Sequence, residues 1–229
     1  MKLLRNAGFV ILCQCLLIPA VHAEESSSVD VFPRAGVGLN WLNYVRLDGS
    51  DLDAYFTTLN VGLSVNYDRV YFDLGAELFG VDSNQEGGEV DDVERQDFTF
   101  TTGYSLNQDA SVFAGYTFGE TKDDLTGQFH EDVGPFIGAS YSFLSGDTVY
   151  TTTLAYADLD GEILVDDKPD ENTKGDTTGF SLGFAISGPF RETMGYTIAI
   201  KTRQYIYEVD GTNQDSDKGI TSLNLGLIF

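Results

Sequence analysis

The stretch GITSLNLGLIF, residues 219–229, closes the chain and decides how the rest of it is read. Successive side chains of a strand point to opposite faces, so Leu223, Leu225, Leu227 and Phe229 share one side, and Ser222, Asn224 and Gly226 the other. The chain stops at the aromatic residue with no polar tail. Such a strand needs an apolar medium on one face and a partner strand at each edge. A closed barrel in a bilayer supplies both, because no backbone group can be left unpaired in hydrocarbon.

Working back from this stretch, ten segments carry strand character, each near the length of about ten residues that a tilted spanning strand requires. They cover 33–46, 55–67, 69–81, 96–106, 110–119, 133–143, 147–158, 177–188, 193–207 and 219–229. In the second, Leu59, Val61, Leu63, Val65 and Tyr67 alternate with Thr58, Asn60, Gly62, Ser64 and Asn66. In the eighth, Phe180, Leu182, Phe184 and Ile186 alternate with Ser181, Gly183, Ala185 and Ser187. The connections alternate too. Short turns are expected around 67–69, 107–109, 144–147 and 188–192, and longer loops at 47–54, 82–95, 120–132, 159–176 and 208–218. A closed, antiparallel, up-and-down transmembrane barrel of about ten strands, with all its short turns at one end, follows.

A soluble β-sandwich also alternates apolar and polar positions. Composition separates the two. A water-facing sheet carries Lys, Glu and Arg, whereas here the polar face is Gly, Ser, Thr and Asn, which suits a confined lumen. The apolar face turns aromatic toward the strand ends, at Trp41, Tyr55, Tyr67, Tyr104, Phe118, Tyr141, Phe143, Tyr156, Tyr196 and Phe229, the pattern of two girdles.

The N-terminus has the form of a cleaved export signal over residues 1–23. Lys2 and Arg5 precede a short apolar run, and Val21-His22-Ala23 supplies small residues at a cleavage site. Residues 24–229 then form a single barrel domain, with 24–32 as an N-terminal segment on the periplasmic side. Cys13 and Cys15 both lie within the signal. The exported chain therefore lacks thiols, which removes disulfides and thiolate chemistry. The formal net charge of −23 excludes nucleic acid as a partner, since phosphate binding needs an excess of Lys and Arg.

The export signal, the hairpin rhythm and the terminal Leu223-x-Leu225-x-Leu227-x-Phe229 together resemble the Gram-negative outer-membrane β-barrel proteins, over the whole exported chain. The resemblance implies integral insertion in the outer membrane, contact with its lipid and lipopolysaccharide, and recognition of the four terminal residues by the barrel-assembly machinery. It implies no cofactor and does not fix a subfamily.

Three constellations bear on function. Alternation places Arg34, Arg46, Asp73, Glu77, Asp97, Lys201 and Arg203 in the lumen, where a charge is costly unless paired or hydrated. They form either a constriction that makes the barrel a narrow porin-like channel for small cationic solutes, or interlocked ion pairs that plug it. The second is the acidity of the long loops. It points to solvation or to divalent cations held directly or bridged to lipopolysaccharide, with Asp158, Asp160, Asp215 and Asp217 as fragments of an oxygen-ligand site. The third is His130, the one histidine outside the signal, beside Asp132 in the third long loop. A His–Asp pair can activate water, as in an omptin-like outer-membrane hydrolase. A narrow channel, a plugged surface-interaction barrel and a hydrolase are thus the three functional readings, the first two non-enzymatic.

Overall fold

The computed structural model describes residues 29–229 apart from 46–50, 80–81, 85–89, 124–126, 166–171, 192 and 211–214. The expected signal segment 1–23 and Arg46 lie outside the described residues. The described chain is all strand and turn: β1 Val29–Val45, β2 Asp51–Tyr67, β3 Val70–Phe79, β4 Asp82–Asn84, β5 Val90–Ser105, β6 Ala110–Asp123, β7 Gln128–Ser145, β8 Thr148–Val165, β9 Thr173–Arg191, β10 Met194–Val209 and β11 Asp215–Ile228. β4 is a three-residue arm paired to the start of β5. The other ten pair antiparallel with their sequence neighbours. β3 pairs with β5, and β1 with β11 from Arg34↔Ile228 to Tyr44↔Lys218, so the cylinder has no open edge. Following the ladder once round from Glu77 returns to the line of β3 about twelve residues further on, a stagger that tilts ten strands by about 40°.

The expected fold class is the observed one, and the outward and inward phases hold. Leu223, Leu225, Leu227 and Phe229 all face outward and are exposed, as are Leu59, Val61, Leu63 and Tyr67 of β2 and Phe180, Leu182 and Phe184 of β9. Inward glycines make room for inward aromatic rings. A Cβ on Gly103 would overlap the ring of Tyr71, its register partner. Gly115 and Gly138 stand in the same relation to Phe136 and Phe113, which meet edge to face at 6.2 Å between centroids. The tight turns use local chemistry. Asp68 sits at φ 51° and Gly146 at φ 63°, and Asn107 Oδ1 accepts from the backbone N–H of Asp109 and Ala110 at 2.8 Å each.

The strands are longer than expected at the long-loop end. β5, β7 and β11 begin earlier, and β6, β8 and β10 run later, than the apolar alternation alone indicates. Past the aromatic girdle the outward positions become acidic, so the apolar half of the pattern vanishes while the pairing continues. On β8, Tyr156 is followed on the same face by Asp158 and Asp160, with Leu159 buried between them. Four of the five expected long loops are therefore mostly strand.

Trp41, the single tryptophan, marks the upper boundary. Its ring lies outward, stacked on Tyr55 at 6.1 Å, and its Nε1 donates to Asp53 Oδ1 at 3.3 Å. An indole with one polar contact above and apolar neighbours below belongs at the lipid headgroup level. In vesicles, lipids brominated near the headgroup should quench its fluorescence more strongly than lipids brominated near the chain terminus. Equal quenching from both depths would contradict this placement.

Candidate functional site

Ten strands leave a lumen about wide enough for side chains, so every charge inside must find a partner there. The register first creates a conflict. Glu77 on β3 and Asp97 on β5 are direct cross-strand partners, both facing inward. Arg203 on β10 resolves it from across the lumen. Its Nη2 donates to Glu77 Oε2 at 2.7 Å and its Nη1 to Asp97 Oδ2 at 3.0 Å. Arg95, two residues from Asp97 on the same face of β5, donates Nε to Asp97 Oδ2 at 3.1 Å and Nη2 to Oδ1. Its Nη1 donates to Thr121 Oγ1 at 2.5 Å.

The network continues toward the long loops through Asp132 on β7. Its carboxylate accepts from Lys218 Nζ of β11 and from Thr177 Oγ1 at 3.2 Å, and lies 3.1 Å from His130 Nε2 and 4.0 Å from Arg95 Nη1. Above these charges sits an apolar cap. The His130 ring meets Tyr207 edge-on at 5.1 Å, and Tyr207 packs with Ile163 and Val209. Glu77, Asp97, Asp132 and Lys218 are each no more than 3% exposed. Toward the short turns, Arg34 forms a separate pair with Asp73, shared with Ser64 Oγ. Between the two levels, Asn60 Nδ2 donates to Asn224 Oδ1 at 2.7 Å.

Of the lumen charges expected from sequence, the structure joins Glu77, Asp97 and Arg203 in one cluster and Arg34 and Asp73 in a second. Lys201 is half-buried and faces a cavity of about 90 Å³ bounded by Phe113, Phe136 and the walls of β8–β10. Arg95, Asp132 and Lys218 complete the network from segments where the sequence pattern indicates loops. Strand parity points to them, since Arg95 has the parity of Asp97, and Lys218 that of Ser222. His130 requires a correction. It is not a loop residue but lies inside β7, 4% exposed beneath Tyr207. It does adjoin Asp132, yet that carboxylate already holds Lys218 and Thr177.

The metal candidates need the same correction. Asp158 and Asp160 lie on β8, pointing outward, and Asp217 lies exposed on β11. Asp215 opens β11, and its side chain lies outside the described set. Among the described residues, no three His, Cys, Asp or Glu side chains converge in ligating geometry.

No family model and no curated protein matches the chain. Solved structures do. The outer membrane protease OmpT of Escherichia coli superposes with a TM-score of 0.54 at 10% identity, covering 90% of this chain and 99% of OmpT. Neisserial surface protein A gives 0.48 at 6% identity, covering 88% and 97%. Ail, the attachment invasion locus protein of Yersinia pestis, gives 0.40 at 9%, covering 89% and 100%. At such identities the likeness is one of fold, and the fold is that of the outer-membrane β-barrels.

The network makes a sharp energetic prediction. Arg203→Met leaves Glu77 and Asp97 side by side with one cation fewer, at a cost of about 3–5 kcal/mol. The triple variant Arg203→Met, Glu77→Gln, Asp97→Asn should recover most of that loss, because no unpaired charge remains. Urea-unfolding midpoints in lipid vesicles measure both. Equal destabilisation of the two variants would show that the residues act by packing rather than by charge compensation.

Proposed function

We infer that this protein is a closed outer-membrane barrel whose working surface is its long-loop end, acting through contacts with divalent cations and lipopolysaccharide rather than as an open pore. The supporting observation is the burial of Glu77, Asp97, Arg95, Arg203, Asp132 and Lys218, which fill the lumen cross-section beneath the cap of Tyr207, Ile163 and Val209. The interior also offers no net attraction for cations. Its buried or half-buried described charges are Arg34, Arg95, Lys201, Arg203 and Lys218 against Asp73, Glu77, Asp97 and Asp132.

The outer surface is the opposite. Above the girdle, Asp160, Asp176 and Glu208 are consecutive cross-strand partners on β8, β9 and β10, all outward and exposed. A second row runs Glu120, Glu131 and Glu162 across β6, β7 and β8, with Lys174 paired to Glu162 at 3.3 Å. Like charges directly opposite one another destabilise a sheet. A divalent cation relieves this, and oxygen ligands suit it. The acids form flat rows rather than a cage, so the remaining ligands would come from outside the chain. Lipopolysaccharide phosphates at the same height supply them. The outward Leu223, Leu225, Leu227 and Phe229 fit the accompanying role of an assembly signal for insertion by the barrel-assembly machinery, after export directed by residues 1–23.

Two measurements test this reading. In planar bilayers the protein should give no stepwise conductance, whereas Arg203→Ala, Glu77→Ala, Asp97→Ala combined should admit ions. Stable single-channel currents from the unaltered protein would overturn the closed barrel. In lipopolysaccharide vesicles, millimolar Ca²⁺ should raise the unfolding temperature. Asp176→Asn with Glu208→Gln should raise the metal-free stability by up to about 1 kcal/mol per relieved pair and reduce the Ca²⁺ response to the share held by the row of Glu120, Glu131 and Glu162. A Ca²⁺ response unchanged by that double variant would place the ions elsewhere.

A further inference from the structure

Two consecutive outward rows of the wall are polar at the height where lipid headgroups begin. Both cross β2, β1, β11 and β10. The upper row is Asp53, Asn43, Gly219 and Gln204, and the lower is Tyr55, Trp41, Thr221 and Thr202. On β9 the same rows turn apolar, at Phe180 and Leu182, both exposed. The next row toward the short turns holds Leu39, Leu223 and Ile200 on β1, β11 and β10, again exposed and apolar. Acyl chains run there.

The polar patch is built, not scattered. Oδ1 of Asp53 accepts from Trp41 Nε1 at 3.3 Å and from Asn43 Nδ2 at 2.9 Å, so one carboxylate oxygen fixes both an indole and an amide. The Trp41 and Tyr55 rings stack within 6° of parallel, yet they remain 45% and 70% exposed. Gln204 lies across β11 because position 219 is glycine. A Cβ there would come within 2.9 Å of its Nε2 and 3.1 Å of its Oε1. Beside it the hydroxyls of Thr202 and Thr221 meet at 3.2 Å. An aromatic girdle accounts for the two rings but not for a carboxylate, two amides and two hydroxyls gathered round them.

This set matches a sugar. Sugar hydroxyls both donate and accept, as amides and carboxylates require of a partner. The C–H face of a pyranose packs on the electron-rich face of an aromatic ring. Phosphate is a poor fit, because neither row contains Lys or Arg and Asp53 repels an anion. A quaternary ammonium head would leave the amides unused. The patch measures about 14 Å across the strands and about 7 Å along them, room for one or two sugar rings.

We propose that these two rows form a headgroup site for a saccharide-headed lipid, with its sugar against Trp41, Tyr55, Asp53, Asn43 and Gln204 and its acyl chains over Leu39, Leu223 and Ile200. The proposal rests on the surface reading for the identity of that lipid, lipopolysaccharide, and adds to it a contact with an uncharged sugar. The site needs no divalent cation, unlike the acidic rows.

Trp41 is the single tryptophan, so its emission reports on the site directly. The full-length barrel in phosphatidylcholine nanodiscs with EDTA, titrated with dodecyl maltoside, is the test. A saturable change in emission at one ligand per barrel is expected. Dodecylphosphocholine, with the same chain, and free maltose, with the same head, should each bind about tenfold less well. Asn43→Leu with Gln204→Leu should weaken binding about tenfold, the worth of two hydrogen bonds, and leave the melting temperature unchanged, because leucine suits a lipid-facing position. Gly219→Val should weaken it similarly by displacing the Gln204 amide. Lipopolysaccharide in EDTA should displace dodecyl maltoside. A response that never saturates would overturn the proposal. So would equal affinity for dodecylphosphocholine or for free maltose, affinity unchanged in both variants, or no displacement by lipopolysaccharide. EDTA removes the Ca²⁺ response from every titration, so failure of this site and failure of the acidic rows remain distinguishable.

Discussion

A charge inside a ten-stranded barrel has neither bulk water nor a lipid headgroup to solvate it, and this constraint organises the molecule. Desolvation is repaid only where geometry is good and the remaining donors and acceptors are satisfied. Here Arg203 reaches across the lumen to two carboxylates that the β3–β5 register forces together. Strands that are distant round the cylinder are thus tied through its centre. A sheet closed by backbone pairing alone fixes its own circumference but not what fills it. The Arg203–Glu77–Asp97–Arg95 cluster and the Lys218–Asp132 pair supply that filling, with bonds that also hold the walls in position.

Much of this was legible in sequence, and the limit of legibility has a physical cause. Between the two aromatic girdles each strand faces lipid on one side and lumen on the other, so residue type follows parity. Arg34, Asp73, Glu77, Asp97, Lys201 and Arg203 could be placed inward for that reason. Above the upper girdle both sides are polar or mixed, and the apolar signal stops although hydrogen bonding does not. Arg95, His130, Asp132 and Lys218 all lie in that zone. Counting parity from Asp97 or from Ser222 toward the long loops would have recovered Arg95 and Lys218. Asp132 is harder, because Gly134 and Pro135 interrupt the pattern between it and Phe136. Which cation serves which carboxylate was not legible at all, since those pairings join strands far apart in sequence and depend on barrel stagger.

The two surfaces of the upper barrel carry opposite solutions to the same electrostatic problem. Inside, carboxylates are each matched to a cation from the chain. Outside, Asp160, Asp176 and Glu208 stand in register with no such matching among them. Exposed like charges repel modestly in water and salt screens them. A row placed just above Tyr156 and Ile206, however, sits where lipid headgroups replace much of that water. The sequence places few cations there, Lys122 and Lys174 among them. Lys122 lies over the Phe129 ring at 5.9 Å and Lys174 pairs with Glu162. Neither lysine is a register partner of Asp160, Asp176 or Glu208, so within the ladder of described residues that row meets no cation.

The lower lumen shows the complementary economy of volume. Large inward rings on β3, β6 and β7 are seated over glycines of the neighbouring strand, so one part of the wall is filled by Tyr71, Phe113 and Phe136. Had β8–β10 carried rings of the same size, the barrel would be solid throughout. Instead its inward residues there rarely exceed threonine, and the hydroxyls of Ser187 and Thr197 bond each other at 3.3 Å rather than standing unpaired. Small residues at a core position forgo the dispersion contacts that larger ones would make. A barrel stabilised only by filling its lumen gains nothing from that omission. Keeping the β8–β10 wall small opposite the rings of Phe113 and Phe136 is what leaves the cavity of about 90 Å³ between them.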